Sequence, residues 1–185
     1  MAAIAIIGDG PGGLSAALFI ARAGHDVTVY GADETVMHYA FLNNYLGIDA
    51  ISGTDFQSSA RQQVLNAGAT ISEERVTAVA IVGEGIEVAT ESDTATADFV
   101  VLGEGKQMPL ANSLGIQTNE GDDEVVPVDR NGKTAIERVY VVGRSARPTR
   151  SQAIISAGDG AAAALDILSQ IEGKDVQDWD SPPKD

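Results

Sequence analysis

Near the N-terminus, Gly8-Asp9-Gly10-Pro11-Gly12-Gly13 has the composition of a phosphate cradle. Gly8, Gly10 and Gly13 fit the spacing G-x-G-x-x-G. In that pattern the first glycine permits a tight turn and the second lets a pyrophosphate reach the backbone. The third lets a helix pack closely on a strand. Pro11 suits the first helical position, and the unpaired N–H groups of that first turn would face the phosphates. The chemistry is dinucleotide binding; the plainer alternative is a glycine-rich turn in an α/β core. An acidic residue about twenty positions on would hold the adenosine ribose. Gly31 ends the next apolar run, and Asp33 is placed for that role. Acid there favours a ribose without a 2′-phosphate, as in FAD or NAD, over NADP.

Few other residues suggest chemistry. There is no cysteine, so the chain has no disulfide, thiolate or CxxC pair. His25 and His38 are too few and too scattered for a metal site of the usual sort. Arg144, Arg147 and Arg150 put three cations within seven residues, suited to an anion at a helix N-terminus or to an acidic patch on a sister subunit. Internal pairing with carboxylates explains them equally well. His38, Tyr39 and Glu104 are the polar groups to weigh as acid or base; none stands out, and the catalytic residues stay unassigned.

The elements that must position these residues follow from apolar periodicity. Ala3 to Ile7 reads as a strand, an Ala/Leu-rich helix runs to Ala23, and Val27 to Tyr30 reads as a second strand. Residues 35–53 show no clean period and read as an aromatic- and amide-rich loop. A helix over about 54–66 follows, capped by Thr54 or Gly53, with Phe56, Ala60, Val64 and Leu65 inward and Gly68 as its stop. Arg75 to Val82 and Ile86 to Thr90 read as an antiparallel meander leading into Asp98 to Leu102, with turns at 83–85 and 92–95. Leu110 to Leu114 suggests a short helix, and Asp122-Asp123-Glu124 and residues 129–132 suggest turns. Val139 to Val142 is a further buried strand. Ser151 to Ile171 is the longest helix, ended by Gly173; Gly158 and Gly160 within it suggest close approach of a backbone or ligand.

The 185 residues, 44% of them hydrophobic, suit one domain over 1–173 and an acidic tail over 174–185. Trp179 in that tail could dock on the body or on a second subunit. Net charge is −15, from 27 acidic and 12 basic residues, eight of the latter arginine. That field repels nucleic acid and resembles the surface of a protein from a salt-loving organism. The first apolar run has no basic region before it and enters the glycine motif, so it reads as a buried strand rather than a signal peptide. With no run of ~18 apolar residues, the expectation is a cytoplasmic protein without a membrane.

Four stretches, in order, resemble the FAD-binding domain of the thioredoxin reductase family. They are Gly8 to Leu18 with Gly31; Asn44-Tyr45-Leu46-Gly47 with Gly53 and the helix after it; Asp98 to Gly105, similar to D-x-x-I-x-A-T-G; and Val139 to Gly143 with Gln152-Ala153-Ile154 and Ser156-Ala157-Gly158. The last resembles the family's closing G-D strand and its R-Q-A-x-x-x-A-G helix. The resemblance implies a Rossmann-like three-layer α/β fold: a parallel central sheet, helices on one side and a small antiparallel meander on the other. It implies FAD held by Gly8, Gly10, Pro11, Gly12, Gly13, Gly31, Asp33, Asn44, Gly103, Glu104, Gly105, Gly143, Arg144, Gln152 and Ala153, with backbone near Val76 at the adenine. It also implies a homodimer.

The departures are specific. Residues 106–138 are too few for the family's NADPH domain, which also carries its CxxC pair. Glu104 stands for the family's Thr, Arg144 for the Asp that hydrogen-bonds the ribityl chain, and Ser151 for an Arg. Glu104 and Arg144 are of opposite charge at neighbouring strand ends and are expected to pair. The function expected is a redox flavoprotein whose reducing equivalents come from a separate donor (a partner protein, a free nicotinamide or another reduced carrier), with a separate electron donor or acceptor protein as partner. The alternatives are a non-catalytic flavin-binding regulatory protein and an NAD-binding oxidoreductase.

Overall fold

The computed structural model describes residues 1–118 and 125–178. In chain order the elements are β1 (Ala3–Ile7), α1 (Pro11–Arg22), β2 (Asp26–Tyr30), a 3-10 turn over Val36–Tyr39, β3 (Phe41–Leu42), β4 (Ile51–Ser52) and α2 (Gly53–Asn66). There follow β5 (Thr70–Ser72), β6 (Val76–Val82), β7 (Gly85–Thr90), β8 (Thr94–Ala97), β9 (Phe99–Leu102), α3 (Pro109–Ser113), β10 (Val139–Val141) and α4 (Ala153–Glu172).

The main sheet has the order β10-β9-β1-β2-β5, every pair parallel. Strands alternate their side chains between faces, and this sheet is apolar on both. Ile4, Ile6, Val27, Val29, Phe99, Val101 and Tyr140 face α1, α2 and α4. Ala5, Ile7, Val100, Leu102, Val139 and Val141 face the β6-β7-β8 meander and α3. A parallel sheet covered on both faces needs such near-continuous apolar strands. The three-layer expectation holds, with α3 lying on the meander side.

α1 packs on α4 through small residues. A Cβ at Gly160 would lie 2.0 Å from the Gly12 carbonyl oxygen, so the two backbones touch there. Gly158, by contrast, meets nothing within 4 Å; close approach explains one of the two helix glycines. α4 has the length and apolarity of a membrane span, but its Ala163, Ala164, Ile167 and Leu168 are buried in the core.

Several local expectations change. Ser52 caps α2, its hydroxyl accepting from the Asp55 amide at 3.1 Å. Gly53 is instead the first helical residue, pressed against the Met37 carbonyl so tightly that a Cβ would lie 1.8 Å from its oxygen. Leu65 is 45% exposed, and the polar Gln57 takes the inward position. Residues 94–97 form β8 rather than a turn, and β5 was hidden because only three residues pair at the sheet edge. Loop 35–53 contains the 3-10 turn and the β3–β4 hairpin. α4 begins at Ala153, two residues later than expected. Residues 122–124 and Trp179 lie outside the described residues.

Candidate functional site

Four of the five strands of the sheet run into glycine at the same edge: β1 at Gly8, β2 at Gly31, β9 at Gly103, and β10, after Val142, at Gly143. Chain connection reverses between β1 and β9, because β2 lies on one side of β1 and β9 on the other. Open α/β sheets bind ligands beyond their carboxyl ends at such a switch point.

Gly8 has φ +104, and a Cβ on it would lie 2.3 Å from the Gly103 carbonyl oxygen. Only glycine lets the two loops meet there. A Cβ on Gly13 would sit 2.0 Å from the Gly8 oxygen, which fixes the helix against the turn. Gly10 is different: the nearest atom to its missing Cβ is Thr35 Oγ1 at 3.7 Å. Its face is open, where a phosphate group would approach. Gly10 is the N-cap of α1 without a side-chain cap, Pro11 follows it, and the Gly12 and Gly13 amides have no helical carbonyl to donate to.

The loops after β9 and β10 are tied together by Ser145, whose hydroxyl donates to the Gly105 carbonyl at 2.9 Å. Gly105 and Gly143 both have positive φ. Asn44 and Gln152, 108 positions apart, meet through the Asn44 amide nitrogen and Gln152 Oε1 at 3.1 Å. This brings the 35–53 loop to the start of α4, where Ala153 opens the helix. Val76 begins β6 opposite Thr90 and packs in the core layer that also takes in Tyr30 at the end of β2.

Glu104 and Arg144 do not pair. Both Glu104 carboxylate oxygens accept backbone amides at the start of α3, Leu110 at 2.8 Å and Ala111 at 3.0 Å. Two fixed donors within the same loop outcompete a guanidinium across the crevice. Burial pushes the Glu104 carboxyl above its ordinary range, against the pull of those two amides. The Arg144 Nε is buried and has no partner among the described residues. Arg147 pairs with Asp159 on α4 at 2.8 Å, so the arginine cluster is partly internal. Tyr39 stands 94% exposed, and His38 is engaged with Thr54 Oγ1 at 3.1 Å and the Asp33 carbonyl at 2.9 Å.

The structure adds a cluster that the sequence reading overlooked. Asp9, inside the glycine turn, is 5% exposed. Its carboxylate accepts from the Asp33 amide at 3.0 Å and pairs with the Arg61 guanidinium. Arg61 also donates to the Gly31 carbonyl at 3.1 Å, and Gln57 donates to the Asp9 carbonyl at 2.6 Å. A Cβ on Gly31 would lie 2.4 Å from Asp9 Cγ, so the glycine makes room for the acid. Asp33 adopts φ +59, and its carboxylate Oδ1 lies 3.1 Å from His38 Nε2. The available signal was an acid at a position facing phosphate, with Gln57 and Arg61 four residues apart on one helix face.

A pyridine nucleotide-disulphide oxidoreductase family model matches residues 2–64. A thioredoxin reductase from Spironucleus barkhanus is 27% identical over 117 residues, 60% of this chain and 38% of that protein. The chain spans less than two-fifths of the length of the curated relatives it matches. A thioredoxin reductase structure from Gloeobacter violaceus superposes with a TM-score of 0.86 at 15% identity, covering 97% of this chain and 99% of that one. The fold is thioredoxin-reductase-like. A ferredoxin-flavin thioredoxin reductase from Clostridium acetobutylicum gives a TM-score of 0.78 at 18% identity, covering 93% of this chain and 98% of that one. The described fold thus carries that architecture with no cysteine anywhere in the 185 residues.

Proposed function

We propose that the chain is an FAD-binding redox protein that exchanges electrons with a separate partner. The observation that carries this reading is the glycine turn at the switch point, with Gly10 open and the Gly12 and Gly13 amides unpartnered in their helix. A pyrophosphate fits that cradle. Gly8, Gly10, Pro11, Gly12 and Gly13 would hold it, Gly31 and Asp33 would face the adenosine ribose, and Val76 would lie toward the adenine. Asn44, Gly103, Gly105, Gly143, Arg144, Gln152 and Ala153 would line the remainder. The buried, unpartnered Nε of Arg144 supports an acceptor atom on the ligand beside it. Glu104 takes a supporting role, since its oxygens hold α3 in place.

When bound, the isoalloxazine ring would carry the electrons. The chain's own residues bind, orient and exclude water. No cysteine pair is present to pass electrons on, and residues 106–138 do not have the length of a nucleotide domain. Nothing between β9 and β10 has the length to supply a hydride donor, and in this reading the reducing equivalents come from another protein or a free nicotinamide. The reading takes 1–173 as one domain, 174–185 as a tail, and a homodimer as the working assembly. Titration with FAD under equilibrium dialysis tests the cofactor; uptake near one equivalent is expected, and no uptake would overturn it.

A second reading, a flavin-binding module without turnover, is favoured by one observation. His38 and Glu104, two of the three acid–base candidates, already hold the fold together. Reduction of the bound flavin by a carrier protein or by NADH or NADPH, followed by reoxidation by something other than oxygen, separates the two.

A further inference from the structure

The charges at the end of β2 bear on which dinucleotide the site accepts, an inference that rests on the glycine turn being a dinucleotide site. In this class of fold an acid at that place receives the ribose hydroxyls, whereas an arginine nearby accommodates a 2′-phosphate. This chain has both groups. Arg61 reaches the strand end, donating to the Gly31 carbonyl at 3.1 Å. Its side chain is only 17% exposed, because Asp9 holds it inside. The other terminal nitrogen of the guanidinium lies 4.0 Å from Glu73.

We propose that the buried Asp9–Arg61 pair makes the site selective for an adenosine ribose without a 2′-phosphate. Arg61 is the cation such a phosphate would need, and Asp9 neutralises it and keeps it turned inward. A phosphate arriving there meets a cation already paired with Asp9 and flanked by Glu73, while the Asp33 carboxylate in the loop after β2 faces His38. A plain ribose meets the partly exposed Asp33 carboxylate, an acceptor for its hydroxyls. Asp9 also sets that acceptor, since its carboxylate holds the Asp33 amide in the left-handed turn. Selectivity therefore resides in an acid inside the glycine motif as well as in the acid after the second strand.

The test compares ADP with 2′-phospho-ADP by calorimetry at fixed ionic strength. The full chain is used as wild type, Asp9→Asn, Asp9→Ser and Asp9→Asn/Arg61→Gln, with folding checked by circular dichroism. The wild type is expected to prefer ADP. Asp9→Asn keeps the shape under Gly31 but releases Arg61, shifting the preference toward 2′-phospho-ADP by about tenfold, the worth of one charge-assisted hydrogen bond. Adding Arg61→Gln is expected to abolish the shift. Asp9→Ser carries the same comparison if Asp9→Asn fails to fold. An unchanged preference in a folded Asp9 variant that still binds ADP would overturn the proposal. Failure of the wild type to bind ADP would overturn the dinucleotide reading itself, a distinct result.

Discussion

Arg61 balances a charge that the glycine turn could not otherwise carry. Asp9 is nearly buried, and removing one partner of a buried pair leaves the other charge uncompensated. Arg61→Ala is expected to cost about 3 kcal/mol of stability in urea unfolding, and adding Asp9→Ala should restore much of it. Glu104 gives a pH signature. Its carboxyl is raised above the ordinary 4.5 by burial, so the folded protein holds that proton to higher pH than the unfolded chain. The contribution favours folding below pH 4.5 and is lost as pH rises through the folded value. The stability of the wild type minus that of Glu104→Gln should therefore fall as pH rises from about 4.5; parallel curves would contradict this. These roles were only partly legible in the sequence. Opposite charges at Glu104 and Arg144 suggested a pair, but the amides of Leu110 and Ala111 were nearer, and proximity within a loop of irregular backbone leaves no periodic trace.

The two glycines of α4 separate packing from propensity. Gly160→Ala drives a methyl into the Gly12 carbonyl and is expected to cost about 2 kcal/mol or more. Gly158→Ala meets open space and is expected to stabilise by about 0.5–1 kcal/mol through helix propensity. Thermal melts of both variants check the pair. The strong elements were readable because their patterns were long or bounded: β1, α1 and β2 around the glycine turn, and α4 with Gly173 at its end. β5, with three paired residues, and β8, rich in Thr and Ala, have too little apolar alternation to be seen. The α2 cap moved to Ser52 because Gly53 is pinned by the Met37 carbonyl, a contact from a different part of the chain.

At the scale of the molecule, the net charge of −15 opposes compaction. Salt screens that repulsion, so the melting temperature is expected to rise between low salt and molar NaCl; a flat or falling response would argue against self-repulsion as a controlling term. The three-layer architecture was legible because apolar runs on both faces require a covered parallel sheet. The Asp9–Arg61 cluster was not, because it joins residues 52 positions apart across three elements. The central claim is that the switch-point crevice holds FAD. It is tested most directly by the visible absorption spectrum of the protein purified at high salt. Bands near ~370 and ~450 nm, with FAD released on denaturation, are predicted. A colourless protein that also takes up no added FAD would contradict the account.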